Sequence, residues 1–240
     1  MNDRAPQPGA ALAAAVRVVL EPSFAALEDL AAQTVVLLPE WAGTGPTAAV
    51  PERVFASLDK TITPHLTSVP ELVGLGFVAA PALVAGQRRF LYWWQRSDDH
   101  LARLHLNFDP ESIDVYDYLQ MEWFQSAQGG APRSAFGPYV DYTGAGLYVV
   151  TVSVPVVRGG VFLGVAGGDV EMAALEPRLL DVLLDCPVAG AVLTAERRVV
   201  AATHPDWVVG SRLAEGGELP ATTPVPHGAG WQVLTLPQDS

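Results

Sequence analysis

Two apolar runs joined by a pair of glycines constrain this chain more than any other feature. "GLYVVTVSVPVV" (146–157) and "GVFLGVAGGDV" (160–170) are rich in β-branched residues, and Arg158-Gly159-Gly160 between them supplies a hairpin turn. Such a hairpin needs an antiparallel sheet around it, because two strands alone are marginal in water. The sequence offers the other strands. "AFGPYVDY" (135–142) precedes the hairpin, and "ELVGLGFVAAP" (71–81) and "RRFLYWWQR" (88–96) are short β-rich runs bounded by Gly and Pro. "LARLHLNF" (101–108) alternates with period two.

Helical periods flank these strands. Val16, Leu20, Phe24, Leu27 and Leu30 recur at helical spacing, which predicts an amphipathic first helix. A turn-rich connection, "AGTGPTAAVP", leads to a second helix opened by Pro51. "DPESIDVYDYLQMEWFQSAQ" (109–128) carries the entry signature Asp109-Pro110 and stops at Gly129-Gly130, so a helix is expected there. After the hairpin come a helix, "EMAALEPRLLDVLL", and a second hairpin turning at Ala195-Glu196-Arg197. A loop-like tail, "GELPATTPVPHGAG", and a last strand, "WQVLTL", complete the chain. The class is α+β: long helices first, then a central antiparallel sheet with helices on one side, in a PAS-like meander.

Composition narrows the function. With 240 residues, half of them hydrophobic, the chain can bury a sizeable core. A formal net charge of −12 without a basic cluster argues against nucleic acid and anionic membrane as partners. The apolar start is interrupted by Arg17, Glu21, Pro22, Glu28 and Asp29, so no bilayer span and no leader are expected, and the chain reads as cytoplasmic. Cys186 is the single cysteine and reads as a core residue. The five histidines lack ligand spacing, so no metal and no cofactor are expected. There is no phosphate loop, nucleophile elbow or H-E-x-x-H. Catalysis would rest on Asp141 and Asp169 as an acid/base pair with nothing beside them, so the chain does not read as an enzyme.

The order "YDYLQMEWFQSA", "GPYVDY", "YVVTVSVPVV", "FLGVAGGDV" resembles the Cache family of PAS-like sensor domains. The resemblance implies a long N-terminal helix before the sheet, and one module rather than a tandem pair. It divides the chain into a disordered 1–9, a helical segment 10–69, a sensor core 70–205 and an extension 206–240 with a final strand. Amino-acid-binding members carry a Tyr, an Arg and a Trp-Tyr pair on a helical segment. A Tyr-x-Asp follows on a strand, and an Asp ends a later strand. Tyr116, Trp123, Tyr139, Asp141 and Asp169 fall on those positions. Met121 stands at the Arg, and Phe124 replaces the second Tyr.

Both departures lie on the side that holds a ligand's carboxylate, since Met offers no donor and Arg offers a planar fork. The side that holds an ammonium is retained. The resemblance therefore implies a pocket of Tyr116, Trp123, Phe124, Tyr139, Asp141 and Asp169 for a small cationic amine, biogenic or quaternary. The alternatives are an amino acid whose carboxylate is held by Arg88, Arg89 or Arg96, and a small-molecule hydrolase using the two aspartates. Taken singly, Trp123 and Phe124 could be packing residues and Asp169 a helix cap. Trp93 and Trp94 point to opposite faces of a strand, so at most one can line a pocket. Homodimerisation through the first helix and signalling through a separate effector protein complete the expectation.

Overall fold

The computed structural model describes residues 8–38, 50–97, 100–109, 111–113, 115–142, 146–213, 222–227 and 229–236. Residues 217–221 of the tail "GELPATTPVPHGAG", most of the connection after the first helix, and residues 1–7 of the expected disordered start lie outside them.

Helix α1 (Pro8–Leu37) is one 30-residue rod. Its apolar stripe, with Leu12, Val16, Leu20, Phe24, Leu27 and Leu30, is buried against the sheet. By length and composition this helix could cross a membrane, contrary to the expectation that its charges and Pro22 break the run. Half of its most apolar window is nonetheless buried within the domain. Pro8 and Gly9, expected in a disordered segment, belong to the helix. A 3-10 turn (Glu52–Leu58) then leads into α2 (Asp59–Ser68), with Pro51 just before it.

Six strands form the main sheet: β1 (Leu72–Ala79), β2 (Leu91–Ser97), β3 (His100–Arg103), β4 (Ser134–Val140), β5 (Tyr148–Arg158) and β6 (Val161–Glu171). Their order is β3-β2-β1-β6-β5-β4, with the β5–β6 hairpin near the middle. The hairpin tip is tied to α1, since Arg158 donates to the carbonyls of Leu38 and Val35 at the helix C-terminus.

The two faces of this sheet differ. Val150, Val152, Val154 and Val156 of β5 join Leu75 and Phe77 of β1 and the stripe of α1 in the main core. On the other face Val78, Leu91, Trp93 and Val165 meet Tyr118, Trp123 and Phe124. Those last residues come from a short 3-10 turn (Tyr118–Gln120) and α3 (Glu122–Gln128). Helices thus cover both faces, not one. The single helix expected over 109–128 is also shorter, because the chain before Tyr118 is irregular. Asn107 and Asp109 bind nearby backbone amides, and Asp117 accepts from the Leu119 amide. Such side chains compete with helical bonding.

After the main sheet, α4 (Met172–Leu184) redirects the chain into a second sheet. It contains β7 (Gly190–Leu193), β8 (Val199–Ala202), β9 (Thr222–Pro224) and β10 (Gln232–Thr235), in the order β8-β7-β10-β9. One sheet with a loop-like extension was the expectation. A division at 205 would separate β7 from β10, which pairs with it and lies between β7 and β9. Short strands split by a long loop give too weak an alternation to reveal this pairing from sequence.

Candidate functional site

The face of the main sheet opposite α1 carries a small cavity. Its floor is aromatic, and glycine makes room for it. The Trp93 indole lies across β1 and β6: a Cβ on Gly74 would stand 2.7 Å from its Nε1, and one on Gly167 3.2 Å from its Cζ3. At Gly76 a Cβ would clash with the Tyr92 carbonyl. Trp94, one residue on, faces the other way and donates to Asp59 at 2.7 Å.

Around this floor stand Val78, Leu91, Leu104 and Leu106 as apolar wall, with Tyr116, Trp123, Tyr139, Asp141, Thr151 and Asp169. The strand register brings the polar groups together. Thr151 of β5 is paired directly with Asp169 of β6, and Tyr139 of β4, the register partner of Val149, reaches Thr151 with its phenol. Tyr139 Oη and Thr151 Oγ1 are 2.6 Å apart, and Thr151 Oγ1 donates to Asp169 Oδ1 at 2.7 Å. At β4 the register shifts between Phe136 and Tyr139. Gly137, at φ +125°, makes this step, and a Cβ there would approach the Val149 carbonyl to 2.8 Å.

Electrostatics mark the same place. Burial pushes the Asp169 carboxyl up to about 7; the Thr151 hydrogen bond opposes this and the charge of Asp141 adds to it. Burial and then Asp169 raise the Tyr139 phenol, while burial, Tyr139, Asp169 and Asp141 raise that of Tyr116. Two carboxylates therefore face four aromatic rings in one enclosure. The cavity is small, about 30 Å³, room for a water or two. Tyr116, Trp123, Tyr139 and Asp141 also line an outer groove of about 570 Å³ with Met121, Arg198 and Arg212.

Five of the six residues singled out from sequence meet here: Tyr116, Trp123, Tyr139, Asp141 and Asp169. Phe124 does not. It is 1% exposed and packs on Tyr118, Trp123 and Phe162, because neighbouring residues of a helix point about 100° apart. Asp169 does not cap α4, whose flanking residue is Glu171 without a side-chain cap bond. None of the three candidate arginines lines the cavity. Arg89 pairs with Asp117 at 2.7 Å, Arg96 donates to the Leu66 carbonyl, and Arg88 is exposed. Thr151 and Trp93 are the site residues that the sequence reading missed or left undecided.

A family model for methyl-accepting chemotaxis protein-like receptors, first PDC sensor domain, matches residues 58–177, half of the chain. The chain belongs to this family. Its PDC sensor domain contains all five cavity residues named from sequence. The Cache-type resemblance and the α+β class are therefore correct. No curated protein matches the sequence. Among solved structures, the extracellular domain of soHK1S-Z6, assigned as a histidine kinase, is similar with a TM-score of 0.64 at 16% identity. It covers 97% of this chain and 92% of its own. The ligand-binding domain of the Pseudomonas aeruginosa amino-acid chemoreceptor PctC, in complex with GABA, has a TM-score of 0.55 at 20% identity, covering 95% and 97%. That of PctB, in complex with L-Arg, has 0.57 at 15%, covering 95% and 91%. At these identities the likeness carries the fold alone.

Proposed function

We propose that this PDC sensor domain binds a small organic amine and does not turn it over. One observation carries the reading: Asp169 and Asp141 line a cavity whose other described walls, Thr151 apart, are aromatic or aliphatic, with no Arg, Lys or His among them. An ammonium group suits this enclosure. A carboxylate partner contributes on the order of 2–5 kcal/mol when judged by truncation, and each desolvated aromatic face adds ~0.5–2 kcal/mol.

The amino-acid reading draws support from the two Pseudomonas domains, whose ligands are GABA and L-Arg. An α-amino acid placed here would set its carboxylate within a few ångströms of its ammonium, in a chamber without a cation. An unpaired buried anion costs several kcal/mol. Amines therefore bind tighter than the matching α-amino acids. Thermal shift distinguishes the two, since ligand raises the melting temperature by mass action. Stabilisation by α-amino acids and not by amines would refute the amine reading.

We further propose a homodimer through α1. Ala11, Ala14, Val18, Ala25, Ala32 and Val36 are exposed or partly so along one side of the rod, a small-residue face suited to close helix pairing. Light scattering at tens of micromolar, an order-of-magnitude range for modest interfaces, should give twice the monomer mass. A monomer there would rule the pairing out.

A further inference from the structure

A second and larger space opens beside α1, and it shares no described lining residue with the amine cavity or its outer groove. It is a groove of about 830 Å³, within the range of roughly 300–1,000 Å³ that holds small ligands. Three elements contribute its walls: α1 with Arg17, Glu21 and Glu28, the segment before β4 with Arg133, and the β9–β10 hairpin with Trp231 and Gln232.

Two of these residues hold donors that the protein leaves open. Trp231 is 1% exposed, and its indole Nε1–H is buried without a hydrogen-bond partner. Buried donors are nearly always paired, so this one calls for an acceptor. The hairpin holds the residue in place, since the Val225 amide donates to its carbonyl at 2.9 Å. Arg17 is half-exposed; its Nε lies 3.6 Å from Glu21, and among the described residues its terminal nitrogens bond to nothing.

The charges of the groove cancel. Arg133 pairs with Glu21 at 3.0 Å and with Glu28 at 2.7 Å, and Arg17 lies beside Glu21. Two guanidiniums against two carboxylates leave no net field to draw an ion: an anion would meet Glu28, and a cation would meet Arg17. His227 is the one exposed aromatic ring among the described lining residues, which leaves a flat nucleobase little to stack on. A neutral molecule with many oxygens suits this lining. Its ether and hydroxyl oxygens accept from Trp231 and Arg17, and its hydroxyl groups donate to Glu28.

We infer that the groove is a second ligand site, and that it takes a neutral sugar of one or two rings. The inference stands apart from the amine reading, because the two sites have no described residue in common. A sugar bound here would touch the first helix and the second sheet together.

Nuclear magnetic resonance of the full chain, labelled with nitrogen-15 at its six tryptophans, tests it. Each indole N–H gives its own signal, and that of Trp231 is assigned through its connection to its own backbone amide. Glucose, maltose and sucrose are titrated to about 10 mM, enough to fill a site whose Kd is near 1 mM. At least one of them should move the Trp231 signal downfield in a saturable way, as the indole gains an acceptor, and leave the Trp93 signal of the amine cavity in place. Arg17→Met, at an exposed position, should weaken that sugar about tenfold and leave the affinity for tetramethylammonium within about twofold. A Trp231 signal that none of the three sugars moves would overturn the site. Unchanged sugar affinity in Arg17→Met would overturn it too. Gluconate, the charged counterpart of glucose, binding tighter than every neutral sugar would overturn the ligand class.

Discussion

Asp169 is the residue on which ligand chemistry and stability meet. Its carboxyl, pushed by burial up to about 7, is neutral in part at neutral pH and is a weak partner for a cation until it ionises. A permanently charged probe such as tetramethylammonium isolates this effect, since the probe itself does not titrate. Its affinity should rise from about pH 5 to about pH 8 and then level off, with proton release measurable by calorimetry. A flat profile would contradict the assignment. The same group shapes the unliganded domain. The unfolded carboxyl titrates near 3.9, so the folded state binds the proton more tightly. Stability should therefore fall as pH rises from about 4 to about 7, by at most roughly 4 kcal/mol. In Asp169→Asn that decline should flatten in urea titrations, and binding of the cation should weaken by a hundredfold or so.

At the scale of elements, the floor under the cavity depends on how closely β1 and β2 approach. Gly76→Ala would force a methyl against the Tyr92 carbonyl and the Trp93 Cα, both backbone atoms. It should cost about 3 kcal/mol, seen as a lower urea midpoint, and displace the indole. Unchanged stability would mean the strands separate more easily than the packing implies. This closeness also explains what the sequence showed and hid. The β5–β6 hairpin was legible because β-branched runs and two glycines leave one reading. Thr151 was not. Counting back from the turn, where Arg158 faces Val161, pairs Thr151 with Gly168, but the bulge between Val156 and Val157 slips the register by one and delivers Asp169 instead. Tyr116 was found by its order in the motif and not by its expected helix, since its segment is irregular. The choice of Trp93 over Trp94 could have been made from Gly74 and Gly76, which vacate one face of the neighbouring strand.

For the whole molecule, α1 is the common support. Its middle and C-terminal parts pack on β5 and β6, while its first turn meets the second sheet, where a Cβ on Gly9 would touch the Thr223 hydroxyl at 2.6 Å. Arg133, before β4, stacks on Phe24 and binds Glu21 and Glu28 of the same rod. Arg133→Met should cost about 1 kcal/mol or less, since both carboxylates are more than a third exposed and Glu21 keeps its pairing with Arg17. On the opposite side, Val18→Glu should shift the proposed dimer toward monomer in light scattering without lowering the melting temperature of the monomer. The size of the cavity has a further consequence, and it concerns time. A chamber of about 30 Å³ admits no organic cation until Tyr116 and its neighbours move aside. Entry then waits on that opening: the observed rate should saturate with ligand concentration in stopped-flow mixing, below the ordinary 10⁵–10⁷ M⁻¹s⁻¹ or so for association. Escape waits on it as well. Such a domain averages its surroundings over the lifetime of the bound state and ignores fluctuations shorter than that.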